Sequence, residues 1–170
     1  FTTLPEDALL LERVEGSERV SELFSYDLTL SSETSMTCEN VLGLGATVWL
    51  KGTDGSKRYI NGVISRWRAL GRKRSPKGLF SYQATLSPKL ALTRHNCRYR
   101  VFREKSALDI IKAILDEWHV DYDAGALNAG DFAPLQQDIQ YQESDYDFLV
   151  RILAREGIAY YFKHVQGAHT

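Results

Sequence analysis

The residues best suited to chemistry stand close together near the end of the chain. Glu143, Asp145 and Asp147 fall within Gln140-Tyr141-Gln142-Glu143-Ser144-Asp145-Tyr146-Asp147-Phe148-Leu149. Two carboxylates in unlike surroundings can divide the work of general acid and general base, as a glycan hydrolase requires. The backbone offers a competing reading. Ser144 precedes an apolar run and Asp147 comes three residues later, a capping-box spacing with Asp in place of Glu. The serine oxygen then accepts from a free amide of the first turn, and the three acids lie where the helix dipole favours negative charge, each by about 0.3–1 kcal/mol when exposed. Phe148, Leu149, Ile152 and Leu153 recur at helical spacing, and Gly157 supplies a left-handed residue to end the helix. Residues 158–162 read as a strand. Glu143, Ser144, Asp145 and Gly157 are therefore expected to form a structural motif of strand, capped helix, glycine stop and strand.

A second group is basic. Arg66, Trp67, Arg68, Arg72, Lys73, Arg74 and Lys77 combine charge with an aromatic, as single-strand binding surfaces do. A small barrel presenting them would be an oligonucleotide-binding fold. Against this stand a solvated hairpin whose charge blocks edge pairing, and a protein-docking loop. Lys and Arg total 21 against 22 acids, a net charge of -1, which argues against a dedicated nucleic-acid binder.

Other constellations are incomplete. His95 and Cys97 would give two metal ligands where a structural zinc takes four. Cys38 and Cys97 are too few for a disulfide framework and read as free thiols. His95, His119, His164 and His169 are scattered, no serine sits in Gly-x-Ser-x-Gly, and Gly43-Leu44-Gly45 lacks the third glycine of a phosphate loop. No catalytic, metal or cofactor site is expected.

The elements that position these groups change character along the chain. Residues 23–30 alternate, with Phe24, Tyr26, Leu28 and Leu30 on one face. Residues 47–51 form another strand, 52–56 a hairpin loop, and 58–67 a strand in which Gly62 marks a bulge or a close backbone approach. A long hairpin with its tip at 71–78 returns through 79–86. Five or six antiparallel strands over residues 1–92 predict a small tube-like barrel or strongly curled sheet, which removes exposed edges. Residues 93–170 are expected to be α+β and incomplete. They hold a strand over 98–103, with Tyr99 and Val101 alternating and Phe102 breaking the alternation. A helix capped by Ser106 and Asp109 comes next, with Leu108, Ile111, Leu115 and Trp118 on its core face, then a loop over 123–134. No apolar stretch approaches the ~18 residues that would span a bilayer, and residues 1–11 have no basic region ahead of a hydrophobic run. Met36 is the only methionine, so the chain is expected to be an excised fragment.

Several stretches stand in a distinctive order: Gly16-Ser17-Glu18 with Ser21-Glu22-Leu23-Phe24-Ser25-Tyr26, then Asn61-Gly62-Val63-Ile64, Leu86-Ser87-Pro88 with Leu90 and Leu92, and Arg98-Tyr99-Arg100-Val101-Phe102. The closing set is Gln140-Tyr141, Glu143-Ser144-Asp145, Phe148, Arg151, Glu156-Gly157-Ile158 and Tyr160-Tyr161-Phe162. Together they resemble the N-terminal region of the VgrG (valine-glycine repeat, Rhs element Vgr) spike proteins of type VI secretion. The connector 92–97 departs from the pattern in carrying Cys97. The resemblance implies a structural part: the first portion of a trimeric hub like that of contractile phage tails, its barrel capping the Hcp tube and its later regions forming a puncturing needle. It further implies a PAAR-type tip and effectors met through regions outside this chain, assembly in the bacterial cytoplasm, and delivery out of the cell or into a target cell. It implies neither nucleic acid nor enzyme activity. Arg72, Lys73 and Arg74 are the expected partner-contact residues.

Overall fold

The computed structural model describes residues 8–73, 78–165 and 168–169. Of these, the residues up to Pro88 and those of Lys163–His169 make one compact unit, and Lys89–Phe162 make a second. The chain thus leaves the first unit after Pro88 and returns to it at Lys163.

The first unit is an antiparallel sheet of β1 (Leu10–Ser17), β2 (Ser25–Ser32), β3 (Gly45–Lys51), β4 (Lys57–Arg72) and β5 (Phe80–Ser87), in the order β1-β2-β5-β4-β3. The alternation read in β2 is real: Tyr26, Leu28 and Leu30 are buried and stand opposite Leu86, Ala84 and Tyr82 of β5. The sheet is curled into a half-barrel with β1 and β3 as its edges. Register shifts between Ile64 and Arg66 and between Ala69 and Gly71 interrupt β4, and such bulges sharpen the twist of a long strand. Gly62 is not at a bulge. It marks a close approach, since a Cβ there would lie 2.5 Å from the Ser87 carbonyl oxygen. β8 (His164–Val165) and β9 (Ala168–His169) form a short hairpin in the same unit.

The second unit pairs β6 (Arg98–Lys105) with β7 (Leu135–Glu143) and packs them with α1 (Ala107–Glu117) and α2 (Asp145–Arg155). Its apolar core joins Ile110, Ile111 and Ile114 of α1 to Phe148, Leu149 and Ile152 of α2, and Phe102 stacks on Phe148 at 5.6 Å between ring centroids. Phe102 therefore does not break the alternation of β6. Arg98, Arg100 and Phe102 take the inner face, while Tyr99 and Val101 face solvent. The strand expected over 158–162 is absent. Burial alternates there, but among the described residues the segment is not assigned to a ladder; Tyr160 meets the Tyr146 hydroxyl at 3.2 Å and the edge of Phe162.

Candidate functional site

The two helices of the second unit begin alike. Ser106 Oγ accepts the Asp109 amide at 3.1 Å, and Asp109 returns a contact to the Ser106 amide at 3.2 Å, a complete capping box. Ser144 Oγ accepts the Asp147 amide at 3.0 Å and donates to the Asp147 carboxylate at 2.6 Å. At the far end of α2 Gly157 has φ +67°. Its amide reaches the Ala154 carbonyl at 3.2 Å, and the Ile158 amide reaches Leu153 at 2.8 Å, the paired bonds of a Schellman stop. The cap and the glycine stop thus stand where the sequence places them.

Asp145 departs from the expectation of an exposed dipole residue, for it is fully buried. Its Oδ2 accepts from Trp118 Nε1 at 2.7 Å and Asn96 Nδ2 at 2.6 Å, and its Oδ1 from Gln140 Nε2 at 2.9 Å and from Arg100. Arg98 Nε lies 3.5 Å from Oδ2, and the Asp145 amide donates to Asn96 Oδ1 at 2.9 Å. Arg98 and Arg100 both also pair with Glu117 at the end of α1. One carboxylate therefore joins the segment ahead of β6, β6 itself, the end of α1, β7 and the start of α2. Burial alone would raise its pKa. The hydrogen bonds from Trp118, Gln140 and Asn96 and the charge of Arg100 outweigh that and hold it below the ordinary 3.8.

This arrangement bears on chemistry. An ionised carboxylate offers about four acceptor positions, and here four donors fill them. A general acid working near neutrality needs a raised pKa, and Asp145 has moved the other way. Its neighbours are engaged too: Glu143 accepts Arg151 Nη2 at 2.7 Å, and Asp147 serves the cap. Sequence reasoning missed Asn96, Trp118, Gln140 and the two arginines as partners. Their signal was Arg98 and Arg100 at strand spacing with Gln140 opposite Arg100 in register, an inward polar row that calls for a buried acid.

The basic hairpin is partly engaged within its own unit. Lys73 Nζ pairs with Glu12 of β1, and Arg72 Nε donates to the Gly78 carbonyl at 2.6 Å, with its guanidinium 5.3 Å from the Phe80 ring centroid. Arg74 and Lys77 lie outside the described residues. Cys38 and Cys97 are free and exposed. Among the described residues, no helix is long and apolar enough to cross a membrane, and no group of three or more His, Cys, Asp or Glu could hold a metal ion. The outer face of β6 and β7 exposes Tyr99, Val101, Ile139 and Tyr141, with Tyr99 and Tyr141 edge to face at 5.2 Å.

A curled antiparallel sheet interrupted by a two-helix α+β unit is the fold of phage-tail hub proteins. The E. coli c3393 protein, a type VI secretion component described as structurally similar to the T4 bacteriophage tail proteins gp27 and gp5, superposes with a TM-score of 0.71 at 22% identity, over 93% of this chain and 45% of that one. The phage tail baseplate hub (GPD) family profile matches residues 17–170, and the chain belongs to that family. Its relatives include the Pseudomonas aeruginosa type VI secretion system spike protein VgrG1a, 33% identical over 98% of this chain. Another is the Vibrio cholerae actin cross-linking toxin VgrG1, 30% identical over 98% of this chain. The chain spans 25% of the length of the first and 16% of the second.

Proposed function

We propose that the chain is the first portion of the hub of a type VI secretion spike, a mechanical part without catalytic activity. The observation that carries this is Asp145. The central carboxylate of the acidic segment is buried and its acceptor positions are filled by internal donors, which ties strands and helices together and leaves Asp145 no acceptor for a substrate proton. Membership of the baseplate hub family supports the same reading. So does the exposed Tyr99, Val101, Ile139 and Tyr141 face, because contiguous apolar surface marks contact areas.

In this reading the full-length protein is a trimer that caps the Hcp tube. It supports a needle carrying a PAAR-type tip and effectors, and it is assembled in the cytoplasm and then delivered outward. Arg72, Lys73 and Arg74 take part in hub or tube contacts. The test uses the full-length protein. It is expected to sediment as a trimer and retain Hcp, and the triple reversal Arg72→Glu, Lys73→Glu, Arg74→Glu is expected to weaken trimer or tube binding while circular dichroism stays unchanged. A monomer that retains no Hcp would overturn the function, and unchanged binding by the triple variant would remove the hairpin from it.

A further inference from the structure

The segment that returns to the first unit meets β4 at His164 and Val165. His164 Nδ1 lies 3.0 Å from the Asn61 amide nitrogen, and a backbone N–H can only donate, so Nδ1 carries no proton and the ring proton sits on Nε2. Nε2 faces Glu18 Oε1 at 3.1 Å, and the edge of the ring packs against Phe24 at 5.1 Å. Asn61 is buried in β4 and completes the fastening. Its Nδ2 donates to the Val165 carbonyl at 2.7 Å, and its Oδ1 accepts from Thr47 at 2.7 Å. This explains the Asn61-Gly62 pair: the asparagine receives the returning strand, and the glycine admits β5.

We infer that this fastening is an acid-sensitive latch, in which protonation of His164 at Nδ1 breaks the bond to Asn61 and releases His164 and Val165 from β4. The proton added at Nδ1 points at the Asn61 N–H, so two donors face each other and a buried amide is left unsatisfied. Among the described residues, the charged groups that act on the ring are Glu18 and Arg58. Glu18 favours the imidazolium, but it also accepts the Tyr26 hydroxyl at 2.7 Å and faces Arg58 at 3.8 Å, which disfavours a second cation. His169 stands opposite His164 in the β8–β9 register. Burial, opposed by Glu18 and aided by Arg58, holds the ring pKa below 6.5. The neutral ring is therefore the folded form. Its full contribution is present above the unfolded value and declines as pH falls from there toward the folded value.

The test is amide exchange read by NMR on the 170-residue chain carrying His95→Gln, His119→Gln and His169→Gln, so that His164 alone titrates. Protection of the Asn61 amide is expected to fall below pH 6.5 by up to about tenfold per pH unit, and to stay flat when His164→Gln is added. Protection that is the same at pH 7.5 and 5, or that falls equally in the His164→Gln form, would overturn the latch. If the variants do not fold, ¹⁵N shifts of the wild-type imidazole decide. An unprotonated Nδ1 at pH 7 with a ring pKa under 6.5 supports the latch, and a proton on Nδ1 or a higher pKa removes it.

Discussion

The starts of α1 and α2 are built from the same four-residue pattern, Ser-x-x-Asp, and differ at the position after the serine. In α1 that residue is Ala107, which packs into the core; in α2 it is Asp145, which gathers Asn96, Arg98, Arg100, Trp118 and Gln140 around a buried charge. A helix cap is a local device, satisfied within three residues. The residue beside it is free to serve the whole unit. The contrast explains how a segment that resembles an active site becomes a strut: its acids answer either to the cap or to partners supplied by other elements.

The largest effect that would separate the two starts is Asp145→Ala. Removing one side of a buried charge network costs about 3–5 kcal/mol. The lower end is expected, because Arg98 and Arg100 keep Glu117 and some solvent. Urea unfolding at pH 7 would read it, and Ala107→Ser in α1, which removes no charge partner, should cost clearly less. Next comes Gly157→Ala. A Cβ there meets nothing within 4 Å, so the cost is the left-handed backbone alone, about 1–2 kcal/mol; a thermal midpoint equal to wild type would show that the helix stop relaxes. The smallest change is at the caps. Ser106→Ala and Ser144→Ala should each cost about 0.5–2 kcal/mol, and near-equal values would show that the caps are alike even though their neighbours are not.

Legibility in the sequence divides along the same line. Both caps, the Gly157 stop and the alternation of β2 were legible because each rests on residues a few positions apart. The Asp145 junction was not, since Trp118 is 27 residues away and Asn96 is 49. The His164 fastening spans 103 residues to Asn61, beyond any periodicity. Residues 158–162 show the converse failure: alternation was present, but strand identity depends on a neighbouring ladder that no local pattern reports. The family motifs draw sense from these distances, because their Arg98, Arg100 and Gln140 meet at the Asp145 carboxylate.

The claim that Asp145 is an ionised strut is tested most directly by the stability of wild type and Asp145→Asn as a function of pH. A depressed carboxylate pKa contributes stability that is present above the unfolded value, 3.8, and is lost as pH falls through the folded one. Wild type is therefore expected to exceed Asp145→Asn at pH 7 and to converge on it below that window. Parallel curves with no difference at pH 7 would contradict the account.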